Sequence, residues 1–283
     1  MTLTEFIQHW SRQLPGEHFP HPRQTIRHLI LHFTGLSQLE MHLKPERELS
    51  QQELRDLNRA AQALKNGKPL AYILGEISFL EWDFKSDSRS FIPRPETEAL
   101  CAMVRERIRI QQISTDFILD MCCGSGVMGL SLALSFKKSH LVLADLSEKA
   151  LCLARENTVR HHLRERVELV HSNLWEQIPP DRTFDILLCN PPYVAGCEHV
   201  DRQVLSYEPH MALYSEDRGL AHVKTILSQL DEHLRPRALA AFELGHCHST
   251  LLQPWLDARR FEGNFTWEKD PFGVERFLFY RKL

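Results

Sequence analysis

The sequence has no apolar run approaching the roughly 18 residues of a membrane-spanning helix. Its opening MTLTEFIQHW is too polar to read as a secretory signal. The seven cysteines are Cys101, Cys122, Cys123, Cys152, Cys189, Cys197 and Cys247, and no two make a CxxC pair, so no zinc ribbon is in view. Their number is odd and most lie in apolar runs, which predicts reduced thiols and a cytoplasmic protein. Cys122 and Cys123 are adjacent and read as packing residues. The tripeptide His246-Cys247-His248 is too tight for a tetrahedral metal and reads as a loop. No metal site is expected. Neither sign of charge dominates, with 34 Lys+Arg against 37 Asp+Glu and a net charge of −3. That balance disfavours a general duplex-DNA binder, and no nucleic-acid substrate is expected. Repeats and low-complexity tracts are absent too.

What is present is the composition of a globular protein, 43% hydrophobic and 25% charged, with 283 residues available for two domains. The first seventy-odd residues read as a small helical bundle. Its clearest helix starts at Ser50, where SQQE is a capping box, and carries Leu54, Leu57, Ala61 and Leu64 on one stripe until Asn66-Gly67 ends it. Segments 2–13 and 22–34 carry similar stripes. From Gly75 the texture changes. ISFLEWDFK alternates, SDSRSFIP is read as the returning strand, and the two together predict a β-hairpin. A helix then begins at Pro95 with acids in its first turn.

Beyond residue 115 strands and helices alternate. FILD, HLVLAD, RVELVH, FDILLC and LAAFEL read as strands. GVMGLSLALSF, SEKALCLARENTVRHH with Ser147 as N-cap, and residues 218–234 read as helices. FTWEKD and ERFLFYRKL close the pattern as a hairpin. Such alternation predicts an α/β fold with a mainly parallel sheet covered on both faces.

The first of these strands ends in ILDMCCGSGVMGL, where Gly124, Gly126 and Gly129 spell GxGxxG. Alone the motif is a weak signal, open to a dinucleotide loop or, less readily, a tight turn without a ligand. Two carboxylates favour another cofactor. Asp120, before the turn, would repel a dinucleotide phosphate but suits an ammonium group such as that of S-adenosyl-L-methionine. Asp145, 19 residues past Gly126, suits a pair of ribose hydroxyls.

At the same sheet edge the strand FDILLC runs into Asn190-Pro191-Pro192-Tyr193. Two prolines cannot continue a ladder and hold the turn stiff. The Asn190 side-chain oxygen and the Pro191 carbonyl form an acceptor pair for the two N–H groups of a planar amino group. Tyr193 can pack on its flat face. Asn190, Pro191 and Tyr193 are thus the candidate catalytic residues, and Asn190 to Tyr193 the candidate substrate site. Methyl transfer to a planar nitrogen by positioning is the chemistry implied. Adenine, cytosine and glutamine nitrogens all fit the tetrapeptide.

Further segments narrow the choice. KPLAYILGEISFLEWDF, FIPRPETE (Phe91 to Glu98), NPPY, YEPHMALYSEDRGL with Glu208 and Pro209, FELG (Phe242 to Gly245) and KDPFGVERF together resemble the HemK/PrmC protein-glutamine methyltransferases. The resemblance covers almost the whole chain, most clearly Pro69 to Arg276. It implies a Rossmann-like, seven-stranded, S-adenosylmethionine-dependent methyltransferase domain at 94–283. It also implies a helical substrate-docking domain at 1–75 and a β-hairpin linker at 76–93. The implied reaction is methylation of the GGQ glutamine in class-1 peptide chain release factors. The implied cofactor contacts are Cys122, Cys123, Gly124, Ser125, Gly126, Asp145, Asn173, Leu174 and Asn190, beside Asp120. Three positions depart from the family pattern: Cys122 replaces a glycine, Asn173 an acid and Leu174 an aromatic. The alternatives are an adenine-N6-type nucleic-acid methyltransferase and a non-catalytic binding protein of the same fold.

Overall fold

The computed structural model describes residues 1–16, 19–196, 198 and 200–283. Cys197 therefore lies outside the described residues. The chain forms two compact units, one of Met1–Glu76 with Arg202–Tyr207, the other of Ile77–Asp201 with Glu208–Leu283.

The first unit is helical: α1 Leu3–Ser11, α2 Pro22–Thr34, α3 Gln38–Leu43, α4 Gln51–Lys65 and α5 Leu70–Leu74. Capping boxes start α1, α3 and α4, the last on Ser50 and Glu53 as the sequence predicts. Phe6, Trp10, Ile26, Leu29, Ile30, Leu57 and Leu64 form its core. Arg202–Tyr207 is a helix unforeseen in the sequence, and the Tyr207 hydroxyl donates to the Asn66 carbonyl at 3.2 Å.

The hairpin is tighter than expected. Its strands are β1 Glu76–Phe79 and β2 Trp82–Lys85, so both lie inside the alternating segment and SDSRSFIP is no strand. The turn is made by Leu80 and Glu81, with Leu80 at φ 52 and its N–H given to the Glu98 carboxylate at 2.7 Å. No Asn-Gly or Asp-Gly marks it, which is why the turn is hidden in the sequence.

The second unit continues with α6 Pro95–Gln111, β3 Phe117–Met121, α7 Val127–Ser135, β4 His140–Asp145, α8 Glu148–Arg160, β5 Val167–His171 and β6 Phe184–Cys189. After α9 (the Arg202–Tyr207 helix) come α10 Glu216–Gly219, α11 Ala221–Ser228, α12 Leu230–His233, β7 Leu234–Glu243, α13 His248–Asp257, β8 Gly263–Lys269 and β9 Glu275–Lys282. The seven strands order β5-β4-β3-β6-β7-β9-β8, with β9 antiparallel to both neighbours and the rest parallel. Strand residues alternate between two cores. Ile118, Leu143, Ile186 and Leu188 join α6 and α7 on one face, and Leu119, Val142, Leu187 and Phe242 join α11 and α13 on the other. All six residues of β6 are buried, so each aliphatic side chain there contributes on the order of 2 kcal/mol.

Three expectations need correction. The helix read at 218–234 starts only at Ala221, because Asp217 (φ 50), Arg218 (φ 56) and Gly219 (φ 87) turn left-handed, and it is interrupted at Gln229 between α11 and α12. Gly219 is obligatory there, since a Cβ would lie 2.1 Å from the Tyr193 carbonyl oxygen. Strand β7 starts at Leu234, five residues before the predicted run, across a register shift beside Asp185 that accommodates Pro236 and Arg237 (φ 64). Likewise His248 is no loop residue but begins α13.

Candidate active site

Strand register brings the candidates together. Met121 pairs with Ala144 and with Cys189, Asp145 with His171, and Cys189 with Phe242. The residues that follow these positions therefore share one carboxyl edge, where ligands collect in open α/β sheets. They are Cys122 to Gly126, the turn after Asp145, Asn173-Leu174, Asn190 to Tyr193, and Glu243.

Asp120 is wholly buried. Its Oδ2 accepts from the Gly129 N–H at 2.8 Å, while Oδ1 has no hydrogen-bond partner among the described residues. Burial pushes the carboxyl up to about 7. Such a group is costly unless a cationic or donor ligand completes it. Gly129 lets α7 approach, because a Cβ there would sit 2.8 Å from both Asp120 Cβ and Leu141 Cδ1. Asp145 Oδ2 accepts from Gly124 N–H and Oδ1 from Ser147 N–H, each at 2.8 Å. Each oxygen keeps a second lone pair for a ribose hydroxyl.

The loop between them turns on three left-handed residues, Cys122 (φ 59), Gly124 (φ 56) and Gly126 (φ 79). Cys122 thus occupies a conformation that suits glycine, the residue the resemblance places there. Its thiol meets that of Cys189 on the next strand, and burial pushes the Cys123 and Cys189 thiols up. Asn157 ties the loop to the hairpin, its Nδ2 donating to Ser125 and Lys85 carbonyls while its Oδ1 accepts from the Lys85 N–H.

Asn173 is exposed and donates to Glu176 at 2.7 Å. Leu174 is left-handed (φ 52) and half-buried. Trp175 offers no stacking surface. It is buried against His233 with ring centroids 4.1 Å apart, and its indole N–H donates to the Ile226 carbonyl.

Asn190 is half-buried and its Nδ2 donates to the Thr97 hydroxyl at 3.3 Å. Pro191 is buried, and Tyr193 meets His248 edge-on at 6.2 Å. His248 accepts the Gly245 N–H on Nδ1, which leaves Nε2 to donate to the Arg218 carbonyl. The chain after Tyr193 pairs with the segment ahead of α10: Val194 donates to the Leu213 carbonyl and Ser215 to the Val194 carbonyl. That segment is pinned by buried Glu208, which accepts from Arg94 at 2.6 Å and from the Ile92 N–H at 3.0 Å.

Thr97, Glu208, His248 and Glu243 escaped the sequence reading as site residues. One signal was available. The buried strands end FILD, LVLAD and AAFE, and in each an acid terminates an apolar run at the same sheet edge.

Comparison with known proteins identifies two matching families. The "Methyltransferase small domain" family matches residues 99–206 and the "PrmC N-terminal domain" family residues 5–75. A release factor glutamine methyltransferase of Koribacter versatilis is 32% identical over 100% of this chain and 99% of its own length. The MTRF1L release factor glutamine methyltransferase of Homo sapiens is 27% identical over 98% of this chain and 87% of its own length. Among solved structures, a methyltransferase from Pyrococcus furiosus superposes with a TM-score of 0.51 at 18% identity, covering 80% of this chain and 98% of that one. A T. thermophilus 16S rRNA methyltransferase solved with AdoMet and guanosine has a TM-score of 0.51 at 18% identity, covering 74% of this chain and 50% of that one.

Proposed function

The chain belongs to the release factor glutamine methyltransferases, and from that membership we propose that it methylates the side-chain amide nitrogen of the GGQ glutamine in class-1 peptide chain release factors. The reading is carried by the shared sheet edge of Asp120, Asp145 and Asn190. One buried carboxylate oxygen with no partner among the described residues, a second carboxylate and a rigid acceptor pair meet there. This donor set fits S-adenosyl-L-methionine: Asp120 Oδ1 for the ammonium group, Cys122 to Gly126 beneath the amino-acid part, Asp145 for the ribose, and Asn173 and Leu174 beside the adenine. When bound, the cofactor supplies an activated sulfonium methyl.

The chain supplies position. An amide nitrogen is a poor nucleophile because its lone pair is delocalised. Asn190 Oδ1 and the Pro191 carbonyl accept its two N–H bonds and aim the lone pair at the methyl carbon. The stiff Pro191-Pro192 turn and the face of Tyr193 hold it there, within about 3.5 Å of reaction. A methyl group taken from the sulfonium would break its bond to sulfur and leave a neutral thioether, and the methylated amide nitrogen would be strongly acidic and lose its proton to solvent, so no strong base is required.

The helical unit of Met1–Glu76 docks the release factor in this reading. A groove on that unit is lined by Arg12 of the α1 end and by Arg23 and Arg27 of α2, all exposed. Cytoplasmic residence belongs to the same reading, supported by the free thiols of the described cysteines.

Mass spectrometry of a purified release factor incubated with the protein and S-adenosylmethionine tests the proposal. One added methyl on the GGQ glutamine is expected, and Asn190→Ala should abolish it while the protein stays folded and cofactor affinity by calorimetry falls far less than turnover. Methylation elsewhere, or near-full turnover by Asn190→Ala, overturns it.

A further inference from the structure

Glu243 ends β7 beside the reacting group yet has no part in the chemistry above. It is 1% exposed, its Oε2 has no hydrogen-bond partner among the described residues, and strand pairing of Cys189 with Phe242 sets it next to Asn190. The Thr97 hydroxyl and the Asn190 side-chain amide both lie within hydrogen-bonding reach of its carboxylate. Thr97 in turn receives the Asn190 Nδ2 hydrogen at 3.3 Å.

We propose that Glu243 and Thr97 are positioning residues for methyl transfer: the carboxylate takes the Thr97 hydroxyl hydrogen, leaving Thr97 Oγ1 able only to accept, so Asn190 must offer it Nδ2 and present Oδ1 to the substrate amide. An asparagine side chain has nearly the same shape in its two flip states, and the surrounding donors and acceptors decide between them. The wrong flip would set an N–H against the substrate N–H and lose one of the two bonds that aim the nucleophile. A protonated Glu243 permits that error. It can donate to Thr97 Oγ1, whose hydroxyl then points at Asn190 and draws in Oδ1.

Burial, with Glu96 of α6 adding to it, pushes the Glu243 carboxyl up to about 7, while Thr97, Arg276 of β9 and Asn190 oppose the rise. The Tyr193 phenol and the Cys101 thiol also face its charge. The active flip therefore gains population as pH rises through neutrality.

This inference rests on Asn190 being the acceptor for the substrate amide. Single-turnover methylation of a release factor, followed from pH 5.5 to 8.5, tests it on the full-length protein. The wild-type rate is expected to rise through about pH 7. Thr97→Val, which keeps the shape but not the hydroxyl, should lower the rate about tenfold, the loss of one oriented hydrogen bond. Its cofactor affinity should stay near wild type, its melting temperature should fall by only a few degrees from the lost buried hydrogen bonds, and Thr97→Ser should restore most of the rate and stability. Glu243→Gln should flatten the acidic limb. A wild-type rate in Thr97→Val, or an acidic limb retained by Glu243→Gln, overturns the inference while leaving the methyltransferase reading intact if Asn190→Ala is dead. No methyl transfer by the wild type removes both.

Discussion

At the scale of single residues, the most informative is Cys122. Its φ of 59 is one that side chains adopt at a cost of about 1–2 kcal/mol. Cys122→Gly removes that strain but gives the unfolded chain more freedom, about 0.5–1 kcal/mol in the opposite direction. Stability should change by no more than about 1.5 kcal/mol, and cofactor affinity should not fall. Calorimetry with S-adenosylmethionine checks this, and a clear loss of affinity would make the thiol a ligand contact. Asp120 yields a second prediction. Its folded carboxyl sits at about 7 against an ordinary 3.8, chiefly through burial. The folded state then holds the proton to higher pH than the unfolded state, so this group's contribution to stability is full below 3.8 and is lost as pH rises through about 7. Asp120→Asn still accepts from Gly129 N–H without ever charging. It should melt above wild type at pH 8, by a margin that shrinks toward pH 5, and bind S-adenosylmethionine more weakly. A margin independent of pH would reject the assignment. The sequence exposed Asp120, Asp145 and Asn190 because each breaks an apolar run. It hid Thr97, since a threonine in the first turn of a helix looks like any other polar residue there.

At the scale of elements, period and caps carried most of the fold. Strands β4 and β6 fall on the predicted HLVLAD and FDILLC, and Ser147 caps α8 as expected. Elements were missed where backbone geometry answers to a distant neighbour. The left-handed break at Asp217 to Gly219 exists because the chain passes over the Tyr193 carbonyl, a contact no local window contains. The segment ahead of that break depends on Glu208, whose two bonds to Arg94 and the Ile92 N–H join the FIPRPETE and YEPH motifs. Glu208→Ala leaves Arg94 one-third exposed and able to turn to water, so the cost is that of lost hydrogen bonds, about 1–3 kcal/mol. Denaturant unfolding measures it. The same variant should raise the KM for release factor more than the Kd for cofactor, because the freed segment pairs with Val194 directly after Tyr193. An unchanged KM would show that this segment does not shape the substrate site.

At the scale of the whole molecule, each unit has its own local arrangement of charge, one at a sheet edge and one on a groove. The unit containing Asn190 places the buried carboxylates Asp120 and Glu243 and the Arg94–Glu208 ion pair near its sheet edge, an arrangement for orienting small groups. The helical unit of Met1–Glu76 places three exposed cations, Arg12, Arg23 and Arg27, on one groove, while its Arg47 is paired with Glu53. A net charge of −3 makes such a cationic patch a local feature rather than a consequence of composition. Exposed charges at a docking surface chiefly govern encounter, and their effect is screened by salt. Replacing Arg23 and Arg27 together by alanine should therefore raise the KM for release factor several-fold at low ionic strength, with kcat and cofactor affinity unchanged. The difference from wild type should shrink as salt is added. Neither arginine lies in the buried face of α2, which consists of Ile26, Leu29 and Ile30, so the fold should not be disturbed. Methylation of a short peptide carrying only the GGQ segment separates docking from chemistry, since that substrate should be processed equally by wild type and variant. A variant that loses activity on peptide and protein alike would place these arginines outside substrate docking.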